Sequence, residues 1–245
     1  MLLNKVAPAL FITIMNKMKV DIWSDVVCPF CYIGKRQFEI ALDQFEHKDK
    51  VEVTWHSFQL DPNTPKPSVG STYDMLASKY GLTLEKAKEM SHGVVDMAAL
   101  VGLHYDMDKT RPSNTFDAHR LIHLSAKTGL ADKAEERFFS AYFTEGQDIA
   151  DDNTLRKLST EIGLNATEVD AVLATDEFAD AVRIDQYKAQ QMGIKGVPFF
   201  VVNEQYGISG AQGGQVILKA LQGIWAEQNP APATDGESCE VDGEC

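Results

Sequence analysis

Cysteine is nearly missing from this chain. Of 245 residues four are Cys, at positions 28, 31, 239 and 245, with about two hundred positions between the second and the third. So sparse a set excludes a structural disulfide framework, and a chain of this length builds a sizeable core without one. Also missing is any run of about 18 apolar residues able to cross a bilayer as a helix. The longest apolar stretch, Val6 to Met15, is interrupted by Pro8 and Thr13, so no membrane partner is expected. Positive charge is scarce as well: 23 Lys and Arg stand against 36 Asp and Glu, for a net charge of −13. Such a surface repels phosphate backbones and argues against a nucleic-acid partner. No repeat period or heptad register persists, which excludes a solenoid and a coiled coil. What is present, 44% apolar and 24% charged residues with 17 Gly and 9 Pro, is an ordinary globular composition for one to two domains of roughly 150 residues.

Residues 1–17 read as an extension. Lys5 before an apolar stretch is reminiscent of a signal peptide, yet Asn16-Lys17-Met18-Lys19 follows where a small-x-small cleavage site is needed. The expectation is a cytoplasmic protein with an appended N-terminus or a mis-assigned one whose synthesis starts at Met15 or Met18; the alternative is periplasmic, with residues 1–17 as the signal. Val20 to Val27 is β-branched enough for a buried strand, and Pro29 opens a helix in which Phe38, Ala41, Leu42 and Phe45 fall on one face. Val51 to Phe58 alternates as a second strand, and three prolines between Asp61 and Pro67 mark a boundary. From 71 to about 192 the pattern is helical, with two helices punctuated near Gly81, a third from Ser113 to a C-cap at Gly129, and others over 131–143, 154–162, 167–174 and 177–192. Asn165 with Glu168 three residues on resembles a capping box. Strands return at 197–202 and 205–209, followed by an amphipathic helix over 215–228. The expected division is a core of 18–62 with 194–228, a helical insertion at 63–193, and an acidic tail at 229–245.

Cys28 and Cys31 are spaced to lie one turn apart on a helix face, close enough to join without backbone movement. Cys28, at the positive end of the helix, is expected to be the thiolate nucleophile, and Cys31 the resolving thiol that releases a mixed disulfide. A Cys-x-x-Cys is also half of a zinc site. Zinc needs two more ligands, and the remaining cysteines lie in an acidic tail some two hundred residues away, so no metal is expected.

Asp25-Val26-Val27-Cys28-Pro29-Phe30-Cys31-Tyr32-Ile33-Gly34-Lys35, together with Gly196-Val197-Pro198-Phe199-Phe200-Val201 and Ser209-Gly210-Ala211-Gln212, resembles the DsbA-like branch of the thioredoxin superfamily, and within it the FrnE-type group of dithiol-disulfide oxidoreductases and isomerases. Phe58 to Pro62 and Asn114 to Leu121 fit the same group, so the resemblance runs from about Lys19 to Gln228. It implies an α/β thioredoxin fold interrupted by a large all-helical insertion, no cofactor, and protein thiols or disulfides as partners, with glutathione or a thioredoxin-like dithiol as the exchanging couple. It further implies a cis Val197–Pro198 bond packed against the cysteines, with Pro29, Phe30, Val197 and Pro198 meeting the substrate. A second reading comes from the same superfamily: a glutathione-dependent isomerase or transferase of the kappa and 2-hydroxychromene-2-carboxylate isomerase type. Those relatives as a rule carry Ser for the first cysteine and lack the second, whereas this chain keeps both.

Other candidates are more open. Cys239 and Cys245 could be an accessory redox pair on a long arm, as FrnE-type proteins sometimes carry, or an incidental disulfide or weak metal-binding tail; acidic neighbours disfavour either as the leading nucleophile. His119 and His123 have the i, i+4 spacing of metal ligands but no third partner, which favours packing, and by resemblance Asn114 and His119 border the cleft. Met90, Met97 and Met107 are expected in the helical core or on a peptide-binding surface. Asp25 or Asp21 is placed to take a proton from Cys31 if buried, although surface carboxylates are the simpler account. Between the cysteines, Pro29 lacks an N–H and Phe30 adds no donor or charge. The couple is therefore expected to be more reducing than the Cys-Pro-His-Cys oxidant DsbA, whose potential is about −120 mV; titration against glutathione checks this, and a value at or above that mark contradicts it.

Overall fold

The computed structural model describes residues 17–230. The N-terminal segment 1–16 and the tail with Cys239 and Cys245 lie outside the described residues. Four strands, β1 (Met18–Ser24), β2 (Val51–Ser57), β3 (Phe199–Val202) and β4 (Tyr206–Ser209), form one sheet in the order β2-β1-β3-β4. β1 is parallel to β2 and antiparallel to β3, and β3 is antiparallel to β4. Helix α1 (Pro29–Gln44) links β1 to β2 and α9 (Gly214–Gln228) follows β4. Between β2 and β3 run α2 (Thr72–Tyr80), α3 (Leu84–Ala99), α4 (Phe116–Ala126), α5 (Ala131–Phe143), α6 (Asp152–Glu161), α7 (Ala166–Ala174) and α8 (Ala179–Gln191). This is the thioredoxin fold interrupted by helices that the sequence implied.

Alternation along the strands sorts their side chains onto two covered faces. Val20, Ile22, Phe200 and Val202 point into a core that continues through α1 and α9 to Leu121, Phe138, Phe139 and Phe143 of the inserted helices. Trp23 and Val201 point the other way, onto Ala189 of α8 and Ile194 in the loop just after it. The sheet and inserted helices therefore share one contiguous main core. Burying both faces explains why β1 reads as a mostly apolar run.

Element boundaries move where side chains take over backbone partners. β1 stops at Ser24 rather than Val27, because the Asp25 carbonyl accepts the Cys28 N–H at 2.8 Å and starts a turn. α4 begins at Phe116 rather than Ser113, since Asn114 Oδ1 takes the Phe116 N–H at 3.0 Å. β3 starts at Phe199, after Pro198, which has no N–H to give. Asn165 caps α7 by accepting from Thr167 and Glu168, and Gly81 ends α2 with φ 63°, a conformation that costs glycine little.

Two polar assemblies tie the inserted helices to the rest. Lys35 of α1, 2% exposed, pairs with Glu39 on its own helix and lies 3.2 Å from both Asp132 and Glu136 of α5. On the opposite face, Asp185 of α8 accepts the Ser57 N–H at 3.0 Å and approaches His123 Nε2 of α4 at 3.1 Å. His56 stacks on Trp23 with centroids 4.4 Å apart, its ring nitrogens each 2.8 Å from Asp21 and Asp185. Burial alone would lower the His56 pKa, but the carboxylates of Asp185 and Asp21 raise it from 6.5 to about 9.

Two predictions follow from this packing. A histidine raised in the folded state contributes stability that is complete below its ordinary pKa near 6.5 and lost as pH climbs through about 9. Urea unfolding should show the protein losing on the order of 3 kcal/mol across that window, with His56→Gln flattening the profile; parallel profiles for the two proteins would refute the assignment. Separately, a Cβ on Gly34 of α1 would lie 2.7 Å from Cγ of Pro198. Gly34→Ala should cost about 1–3 kcal/mol by overpacking, read as a lower urea midpoint; an unchanged midpoint would refute the close contact.

Candidate active site

The chain leaves β1, turns at Asp25 and enters α1 with Cys28 as the N-cap and Pro29 in the first turn. Proline suits that position because its absent N–H is one the helix could not have paired. The first turn of α1 holds no acidic residue, so no side-chain carboxylate there offsets the positive end of the helix dipole beside Cys28. The Cys31 N–H donates to the Cys28 carbonyl at 3.0 Å, and both thiols are free.

The two sulfurs have different surroundings. Cys28 lines a cleft of about 760 Å³ together with Pro29, Phe30, Gly196 and Val197, whereas Cys31 is not on its wall. The Cys28 thiol donates to the Val197 carbonyl at 3.5 Å, and the Val197–Pro198 bond is cis. Cys31 is 1% exposed. Burial, then the neighbouring Cys28, push its pKa well above the ordinary thiol value, while the Asp25 backbone and the Ser24 hydroxyl offset this in part. Cys28 is itself only 3% exposed, so what separates the two is that Cys28 borders the cleft while Cys31 lies off its wall and is held protonated by burial.

Of the residues named from sequence, Cys28, Cys31, Pro29, Phe30, Val197 and Pro198 come together here, although about 170 positions separate the two groups in the chain. Met90 and Met107 line the cleft; Met97 does not. Asn114 and His119 are also off its wall, where Ser113 and Thr115 stand instead; Asn114 is turned to the Thr64 carbonyl at 2.8 Å. His119 is fully buried, and among the described residues no cluster of His, Cys, Asp and Glu suits a metal.

The surface reading of Asp25 is corrected, because it is 1% exposed. Its Oδ2 accepts the Leu60 N–H at 2.7 Å, which fastens the loop after β2 to the redox turn. Its Oδ1 has no hydrogen-bond partner, with His119 Nε2 3.4 Å away. Asp21, by contrast, is taken up by His56.

Three further residues escaped the sequence reading. Tyr105 donates to the Pro29 carbonyl at 2.8 Å and stacks on Phe143 with centroids 4.5 Å apart, holding the dipeptide between the cysteines from the helical side. Glu135 of α5, 1% exposed, receives the Ser24 hydroxyl at 3.5 Å. Burial raises its pKa to about 8, Lys35 opposing and Asp132 and Asp25 assisting. Gly34 is the third; it lay inside a quoted motif, but its contact with Pro198 is set only by the fold. A lone Tyr in the loop between α3 and α4, or a lone Glu in the amphipathic α5, carries no signal of such a role.

Comparison with known proteins agrees with this geometry. Residues 19–222 match the DSBA-like thioredoxin domain family. The uncharacterised protein YwbO of Bacillus subtilis is 30% identical over 204 residues, covering 82% of this chain and 94% of that protein. The crystal structure of a probable DsbA oxidoreductase from Streptomyces coelicolor superposes with a TM-score of 0.83 at 42% identity, over 92% of this chain and 97% of that one. The cytosolic disulfide reductase DsbM from Pseudomonas aeruginosa, solved with GSH, shares the fold alone, with a TM-score of 0.58 at 16% identity over 84% and 98% of the two chains. The strand-to-helix dithiol facing a proline loop, the four-stranded sheet with helices inserted after β2, and a family match across most of the sequence agree: the chain belongs to the DSBA-like thioredoxin domain family.

Proposed function

We propose that this protein is a thiol–disulfide oxidoreductase and isomerase acting on protein disulfides through Cys28 and Cys31. The observation that carries the reading is the asymmetry of the pair: both thiols are buried, but Cys28 borders the cleft at a helix start and Cys31 sits one turn behind it, off the cleft wall. The Cys28 thiolate attacks one sulfur of a substrate disulfide. That bond breaks, a mixed disulfide forms, and the first substrate thiolate leaves and is protonated. Cys31 then gives up its proton and attacks the Cys28 sulfur, releasing the second substrate thiol. The substrate gains two electrons and two protons, and the Cys28–Cys31 disulfide that results is the oxidised enzyme. Run backwards, the same steps oxidise a dithiol. Partial passage, with substrate escaping after the first step and re-pairing, isomerises.

Burial that keeps Cys31 protonated makes its deprotonation the demanding step. Ser24 and, behind it, Glu135 with a pKa near 8 are the groups placed to help, since an acceptor matched to working pH moves protons best. The exchange calls for no cofactor, and glutathione or a thioredoxin-like protein dithiol returns the pair to its starting state. Keeping both thiols weighs against the glutathione-dependent isomerase or transferase reading. We take the protein to be cytoplasmic, and Cys239 with Cys245 to be at most an accessory pair.

Insulin reduction and refolding of scrambled ribonuclease test the activity. Cys31→Ser should accumulate a mixed disulfide with substrate, visible by mass spectrometry, and lose turnover at least a hundredfold. Cys28→Ser should form no mixed disulfide. Conjugation of glutathione to an electrophile by the Cys28→Ser protein, with no insulin reduction by the wild type, would reverse the choice of function.

A further inference from the structure

We infer that Tyr105, in the loop between α3 and α4, is a positioning residue that sets how oxidising the Cys28–Cys31 pair is, through its hydrogen bond to the Pro29 carbonyl. This rests on the thiol-exchange reading above and adds a control of the couple that comes from outside it. Both cysteines follow β1, whereas Tyr105 belongs to the chain inserted between β2 and β3. Neither residue between the cysteines carries a side-chain donor, and Tyr105 brings one from 76 positions away.

The ring is packed on two sides. Its hydroxyl donates to the Pro29 carbonyl at 2.8 Å, while the ring stacks on Phe143 with centroids 4.5 Å apart and lies along Tyr32 at 6.0 Å. Burial, then Cys28, Tyr32 and Cys31, push the phenol pKa far above its ordinary value of 10. The hydroxyl is therefore a donor at every working pH, and it stands close enough to both sulfurs to feel a charge on either.

What matters is which peptide group the hydroxyl touches. The Pro29 carbonyl and the Phe30 N–H belong to one peptide unit. That N–H lies in the first turn of α1, where backbone donors have no acceptor within the helix, and Cys28 is the cap of that turn. As a thiol, Cys28 makes no cap bond and donates instead to the Val197 carbonyl at 3.5 Å. Once ionised it can only accept, so the Val197 carbonyl ceases to be a partner. The first-turn N–H groups are then the donors that its place at the helix start offers. A donor on the Pro29 oxygen draws charge toward that oxygen and leaves the Phe30 N–H more positive, since hydrogen bonds in series strengthen one another by roughly 10–30% each. The Tyr105 bond therefore favours the Cys28 thiolate over the thiol. A thiolate exists only in the reduced pair, so favouring it makes the disulfide the stronger oxidant.

The test is the redox equilibrium of the full chain with glutathione, read after acid quenching by mass spectrometry of the alkylated thiols. In it the Cys28–Cys31 disulfide takes two electrons and two protons from two glutathione thiols, leaving the dithiol and glutathione disulfide. Tyr105→Phe keeps the ring and both stacks and removes the donor. Its equilibrium constant for oxidising glutathione should fall at least twofold, about 9 mV toward the reducing side at 29.6 mV per tenfold. The pH profile of iodoacetamide alkylation at Cys28 should move to higher pH in the same variant. Tyr142→Phe is the control, because the buried Tyr142 donates to the Arg111 carbonyl at 2.8 Å, away from the dipeptide; its constant should stay within 1.5-fold of the wild type. A merely structural Tyr105 would lower the urea midpoint of the oxidised and reduced protein alike and leave the constant in place. A fall smaller than twofold, a rise, or an equal fall in Tyr142→Phe would overturn the inference and leave the exchange reading standing. Failure of the wild type to form a Cys28–Cys31 disulfide in equilibrium with glutathione would overturn both.

Discussion

The site depends on one close approach, between the start of α1 and the loop that ends at Pro198. β1 and β3 are antiparallel neighbours with Trp23 opposite Phe199, so the loop entering β3 lies at the same end of the sheet as the turn leaving β1. That register is what delivers the Val197 carbonyl to the Cys28 thiol. The approach is tight enough that α1 carries glycine where the Pro198 ring lies over it, as close packing of a helix on a loop requires. A one-residue slip of β3 would exchange Phe200 and Val201 between the two sheet faces. Burial on both faces therefore fixes the loop as firmly as any contact it makes itself.

The helices inserted between β2 and β3 do two things at once. α4, α5 and α8 complete the core, α8 closing one face of the sheet and the phenylalanines of α5 extending the other. α2 and α3 instead leave apolar side chains open toward Cys28. The same segment also supplies groups around the buried sulfur: Glu135 reaches Ser24, and Tyr105 holds the Pro29 carbonyl. A thiol whose neighbours come from two parts of the chain is sensitive to how those parts dock. That gives the charged contacts of Lys35 with α5, and of His56 with Asp185, a positional role, because a buried ion pair is poor evidence of net stability by itself.

The electrostatics of the site are mostly consequences of burial. Cys31 and Glu135 are both shifted upward because charge in a dry interior is costly, and they lie on either side of one hydroxyl. His56 goes the opposite way to what its burial would dictate, since two carboxylates flank it. These environments differ over a few residues of the same strand: Asp21 faces His56 on one side of β1, while Ser24 and Asp25 face the thiols at its end.

Sequence by itself determined what depends on near neighbours. Cys28, Pro29 and Cys31 at a strand-to-helix turn, the glycine end of α2 at Gly81, the cap of α7 at Asn165 and the extent of α5 all follow from local patterns and backbone chemistry, and the order of motifs points to the DsbA-like fold. Boundaries were less legible wherever a side chain or a turn replaced a ladder bond, as at Asp25 and Asn114. What the tertiary structure alone decided is that Asp25 is buried while Met90 lines the opening, and that Glu135, Tyr105 and Gly34 belong to the site. Exposure, desolvation and pairing are properties of groups brought together from distant positions, and no spacing along one chain encodes them until the sheet register and the helix docking have set the distances.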